Sequence, residues 1–267
     1  MTAQRLRRAM IGVAVGIGLA YAVLLAGLYA AQRSLIYPAP LQFSATPDGY
    51  RRIALHTADG LTLAALFRPP APGRRVIVFF HGNGDNWDGA ARANQLLSEA
   101  GYGVLLAEYR GYGANPGVPG EQGFYTDGRA ALDWLAAQGF SSAQTVLVGN
   151  SIGSGPAVQL ATERPVAGLI LVSGFTALAD VVIATLPWAP ARMLLRDHYD
   201  NAAKLPRVAA PVLLLHGAAD RLIPAEQARG LHAAQPAAQL HIVPSYGHEL
   251  AYQRAAQMLE LDWLNRL

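Results

Sequence analysis

Cysteine is missing altogether from the 267 residues, which excludes a disulfide framework, a thiolate nucleophile and any cysteine-based metal site. Lysine is nearly missing too, with Lys204 alone among 21 basic residues. No acid occurs before residue 34, whereas Arg5, Arg7, Arg8 and Arg33 do. Those four carry the whole positive balance: without them, 17 basic residues face 18 acidic ones. No basic face is left to track phosphates, so a nucleic-acid partner is not expected. Internal repeats are lacking, and 27 Gly and 17 Pro fall without period, which excludes solenoids and collagen-like folds. The H-E-x-x-H spacing, the P-loop and the dinucleotide fingerprint are also absent, and no metal or cofactor is expected. What is abundant is apolar residue content, 52% against 15% charged, enough for a large core in a single α/β-sized domain.

From Ala9 to Ala31 run 23 residues without a charge. As a helix they extend roughly 35 Å, sufficient to cross a hydrocarbon core of about 30 Å. Three arginines precede the run and one follows it, which predicts a cytoplasmic N-terminus with the remaining chain on the far, extracytoplasmic side. The alternative is a cleaved signal peptide and secretion. However, the run exceeds a usual signal core, and cleavage after Ala30 or Ala31 leaves Leu28 or Tyr29 at the −3 position. Residues 1–33 are therefore read as a basic N-terminus and membrane anchor, and residues 34–267 as the functional domain.

Beyond a proline-bearing linker (Pro38, Pro40, Pro47), Tyr50–His56 and Leu61–Phe67 alternate as strands around an Asp59-Gly60 turn. Continuous apolar runs at Val76–Phe80, Val104–Ala107, Val146–Val148, Leu169–Val172 and Val212–Leu215 read as buried parallel strands, with Leu240–Val243 as the last. Helical periodicity covers Ala90–Ala100, Phe124–Gln138, Pro156–Thr162 and Leu250–Leu267. The alternation predicts a mostly parallel sheet of about eight strands with helices on both faces. Ligands of such sheets bind beyond the carboxyl ends of the strands.

Polar groups do follow those ends. Gly149-Asn150-Ser151-Ile152-Gly153 is a G-x-S-x-G pattern between a strand and a helix, the setting in which a tight turn exposes a nucleophilic hydroxyl. A serine nucleophile needs a base and the base an orienting group. His248 lies in a loop after the last strand, and Asp220 in the loop that follows Val212–Leu215. A histidine base must be neutral to take the proton, so the rate is expected to rise with pH through its titration. The charge on a tetrahedral intermediate calls for two N–H donors. Ile152 supplies one, and the loop His81-Gly82-Asn83-Gly84 the other, with Asn83 first and Gly84 second. A long segment between Ser173 and Val208 carries Phe175 and Trp188 among many apolar residues, and it reads as a short apolar lid over about residues 174–208.

These motifs stand in a familiar order. Leu35-Ile36-Tyr37-Pro38, Phe80-His81-Gly82-Asn83, Glu108-Tyr109-Arg110-Gly111-Tyr112-Gly113, Gly149–Gly153, Pro211–Gly217 with Asp220, and Gly247-His248 together resemble the α/β-hydrolase superfamily. The likeness is to membrane-associated abhydrolase-domain proteins related to serine aminopeptidases and acyl-protein thioesterases. It implies an α/β-hydrolase fold with a Ser151–Asp220–His248 triad, Asn83 and Ile152 at an oxyanion hole, and Gly82, Gly84, Phe175 and Trp188 near the substrate. The expected activity is cleavage of esters or thioesters of small acylated or lipid-like substrates. Aminopeptidase-like amide hydrolysis and a non-catalytic binding domain are the alternatives. Two features depart from the pattern: Asn150 precedes the serine where relatives often carry a larger or charged residue, and Asp85 adds an acid beside the oxyanion loop.

Overall fold

The computed structural model describes residues 3–267. A 34-residue helix, α1 (Ala3–Ile36), opens the chain and is apolar and long enough to be a candidate membrane span. It is followed by β1 (Arg51–His56), β2 (Thr62–Arg68), β3 (Val76–Phe80), α2 (Trp87–Ala93), α3 (Gln95–Glu99), β4 (Gly103–Ala107) and α4 (Glu121–Ala137). Next come β5 (Thr145–Asn150), α5 (Ser154–Glu163), β6 (Gly168–Val172), α6 (Leu178–Thr185), α7 (Ala191–Leu194) and α8 (Asn201–Lys204). The chain closes with β7 (Val212–Gly217), α9 (Glu226–Ala234), β8 (Gln239–Val243) and α10 (Arg254–Leu264).

The eight strands form one sheet in the order β1-β2-β4-β3-β5-β6-β7-β8. Strand β2 pairs antiparallel with both neighbours, and every pair from β4 to β8 is parallel. The predicted fold class is thus the observed one. Strand periodicity splits the core: Val76, Val78 and Phe80 point into the layer shared with α4, α5 and α9, whereas Ile77 and Phe79 join Trp87 of α2, Leu97 of α3 and Trp263 of α10. Both faces being covered, the central strands tolerate no polar alternation, which is why they read as unbroken apolar runs.

Boundaries differ from the sequence expectation at three places. The predicted helix over Ala90–Ala100 breaks at Asn94, whose side chain donates to the Ala90 carbonyl at 2.8 Å and ends α2. The predicted C-terminal helix starts late, because Gln253 is extended and separates α10 from a 3-10 turn over His248–Tyr252. The linker also starts late. Helix α1 continues to Ile36, and the buried Tyr37 donates to Asp197 at 3.0 Å and shares a 2.9 Å hydrogen bond with Tyr199.

Candidate active site

Strand β5 delivers Ser151 at the carboxyl edge of the sheet, and α5 leaves three residues later. Ser151 has φ 54°, a left-handed conformation costly for a residue with a side chain. The turn needs its glycines. A Cβ on Gly149 would sit 2.5 Å from the Gly153 carbonyl, and one on Gly153 would run into the Phe80 carbonyl of β3. Tight packing of the turn against β3 therefore presents the hydroxyl and excludes larger residues on either side.

His248 Nε2 lies 3.1 Å from Ser151 Oγ, and Nδ1 lies 2.8 Å from Asp220 Oδ2. A carboxylate only accepts, so Nδ1 carries the proton and Nε2 presents its lone pair to the hydroxyl. Asp220 is itself fixed: Oδ1 accepts from the N–H groups of Leu222 and Ile223, each at 2.9 Å. His216 Nε2 approaches Oδ2 at 3.5 Å and donates to the Ile223 carbonyl at 2.7 Å. Burial favours the neutral acid, but His216, His248 and the Ile223 N–H outweigh it and hold the Asp220 carboxyl well below the usual range. The three residues named from the sequence are thus brought together in hydrogen-bonding order.

The loop after β3 flanks the serine. A Cβ on Gly82 would lie 3.5 Å from Ser151 Cβ and 3.1 Å from the Asn150 amide, so the bare backbone is what lets the loop come this close. Asn83 is exposed, and its side chain accepts from the Tyr112 hydroxyl at 2.9 Å. The Gly84 N–H is engaged by that same hydroxyl. Ile152 stands at the start of the turn into α5, where N–H groups have no intrahelical acceptor. Asp85, the acid that departs from the pattern, is turned aside and accepts from the Tyr252 hydroxyl at 2.7 Å.

Beneath this loop the structure holds groups that single-residue reasoning missed. His81 and Glu108 are both buried and meet at 2.8 Å through Nε2, while His81 Nδ1 lies 2.8 Å from the Gly82 carbonyl. Both ring nitrogens face oxygen atoms, an arrangement that favours the charged imidazole. Burial opposes that charge, yet Glu108 outweighs it and raises the His81 pKa. Two residues on from Glu108, Arg110 bridges Asp127 at 2.7 Å and Asp59 at 2.6 Å, tying α4 to the β1–β2 turn. The available signal was the position of His81 and Glu108 immediately after buried strands, and His216 with Asp220 adds the i, i+4 spacing.

Trp188 and Phe175 are placed in different surroundings. Phe175 is fully buried in the core, and its carbonyl accepts from Asn201, which also donates to Ser154. Trp188 is half exposed and packs against Tyr21 of α1 with ring centroids 6.3 Å apart. The part of the segment around Trp188 is drawn toward α1.

The model of the α/β-hydrolase fold family matches residues 75–198. An uncharacterized protein of Mycobacterium tuberculosis, Rv2307c, is 39% identical over 230 residues, which cover 83% of this chain and 82% of that one. Protein bem46 of Schizosaccharomyces pombe is 29% identical over 226 residues, covering 75% and 73% respectively. Among solved structures, the Pyrococcus furiosus esterase Pf2001 superposes with a TM-score of 0.67 at 17% identity, over 85% of this chain and 96% of that one. The esterase domain of a Rhodothermus marinus protein gives 0.62 at 20% identity, over 81% and 98%. The chain belongs to the α/β-hydrolase superfamily.

Proposed function

We propose that the protein is a membrane-anchored serine hydrolase that cleaves ester or thioester bonds of acylated or lipid-like substrates. The observation that carries this reading is the hydrogen-bonded line from Ser151 through His248 to Asp220, at 3.1 and 2.8 Å. Ser151 Oγ attacks the acyl carbonyl while its proton passes to His248 Nε2, and Asp220 stabilises the imidazolium. The carbonyl electrons move onto oxygen, where the N–H groups of Ile152 and Asn83 meet the developing charge. Collapse of the tetrahedral intermediate breaks the bond to the alcohol or thiol, which leaves with the proton from Nε2. Water then repeats the sequence on the acyl-enzyme and releases a carboxylic acid.

The solved neighbours named as esterases are in keeping with this reading. Helix α1 is taken as the anchor, with its arginines cytoplasmic and the hydrolase domain on the other side. A fluorophosphonate probe tests the chemistry. Wild type should be labelled covalently, and Ser151→Ala should not. Labelling that survives Ser151→Ala, or hydrolysis confined to aminoacyl amides, would overturn the assignment.

A further inference from the structure

Helix α1 does not end as a free tether. A stripe at helical spacing (Tyr21, Leu25, Leu28, Gln32, Ile36) faces the segment between β6 and β7. Gln32 is buried. Its amide donates to the Leu194 carbonyl at 3.2 Å, and its oxygen accepts from the Arg196 N–H at 2.8 Å. Fifteen residues nearer the N-terminus than Ile36, the Tyr21 hydroxyl donates to the Trp188 carbonyl at 2.8 Å. The cap formed by α6 and α7 therefore runs alongside roughly 22 Å of the anchor helix.

Between helix and cap lies an apolar groove of about 270 Å³, walled by Leu25, Leu28 and Leu35 on one side and Val182, Leu186 and Leu195 on the other. Ser151, Asp220 and His248 take no part in it. Its depth in a membrane follows from the helix. Arg8 sets the inner limit, and about 20 residues cross the hydrocarbon, so the outer boundary lies at or beyond Leu28. Tyr21 and the Trp188 carbonyl then sit at least ~10 Å inside that boundary. At the height of the boundary, the exposed Arg196 guanidinium stacks 4.4 Å over Tyr29, which also lines the groove. Among the described residues no acid pairs with Arg196. An apolar slot open to the bilayer, with a free cation at headgroup height, matches a chain that ends in phosphate.

We propose that this groove holds one acyl chain of a bilayer phospholipid, with Arg196 facing its phosphate, so that the cap is seated in the outer leaflet. The proposal rests on the reading of α1 as an anchor but not on the hydrolytic chemistry. The full chain, reconstituted in vesicles of phosphatidylcholine and phosphatidylglycerol, is washed with carbonate. It is then photolysed with a trace of phosphatidylglycerol carrying a mid-chain diazirine, and the adducts are mapped by mass spectrometry. Adducts are expected on the cap between residues 181 and 195 as well as on Val13 and Val23, which face outward from α1. Filling the groove with Val182→Trp, or from further along the cap with Leu186→Trp, should lower cap labelling by about tenfold while Val13 and Val23 label as before. An unchanged limited-proteolysis pattern reports that each variant is folded. Release by carbonate would overturn the anchor and this proposal together. Retained protein labelled only on Val13 and Val23, or cap labelling indifferent to both substitutions, would overturn the groove alone. So would cross-linking of the cap to α1 of a second copy.

Discussion

Ser151 meets His248, its proposed base, at 3.1 Å, and the far ring nitrogen is held on a carboxylate that itself accepts two backbone N–H groups. Residues so arranged act as a unit. Ser151→Ala and His248→Ala are each expected to lower kcat on an aryl ester by about 10⁴-fold or more, and the double variant no further. Asp220→Asn should cost roughly 10²–10⁴-fold, because His248 loses its oriented tautomer while the oxyanion donors remain. His81 makes a separate prediction in pH. Its pKa is raised by Glu108, so the stability it contributes is fully present below the ordinary histidine value of about 6.5 and is lost as pH rises through the raised value. The Tm advantage of wild type over Glu108→Gln, followed by calorimetry, should therefore shrink from pH 6 upward. Ser151, Asp220 and His248 were legible because each stands in a loop just beyond a strand. The supports were not, because His81 and Glu108 are paired by the adjacency of β3 and β4, a register that no local window contains.

The elements show what local pattern can and cannot fix. Buried strands were readable from their apolar runs and the turn at Ser151 from its glycines, whereas helix breaks at Asn94 and Gln253 depend on side-chain and backbone geometry at one residue. The turn allows no tolerance: Gly153→Ala drives a methyl into the Phe80 carbonyl, and chemical denaturation should show a loss of more than ~4 kcal/mol or no soluble protein. Helix α10 carries a cost of another kind. Glu260 is buried and desolvation pushes its carboxyl up to about 8. A raised acid binds more protons folded than unfolded, so wild-type stability falls as pH rises from about 4.3 toward 8. Glu260→Gln should be close to neutral near pH 5 and gain several degrees in Tm over wild type at pH 8.

At the scale of the whole molecule, the junction between α1 and the domain decides how the proposed active site meets a surface. From the sequence this stretch reads only as a proline-bearing linker, because the partners of Gln32 and Tyr37 lie far along the chain and carry no periodic signal. The double variant Gln32→Ala/Tyr37→Phe should stay in the membrane fraction and keep its turnover of a soluble aryl ester. Its turnover of an acyl ester dissolved in the same bilayer should drop by about tenfold, the consequence of a domain that no longer holds one orientation.

That latch also has a schedule. Tyr37 and its partner Asp197 are separated by 160 residues of chain. At ribosomal rates of about 5–20 residues per second, Asp197 emerges roughly 10–30 s after Tyr37. During that interval the C-terminal end of α1 has no Asp197 to clasp it. On the proposed reading of α1 as an anchor, the helix thus has time to insert before the contact that clasps it to the domain exists.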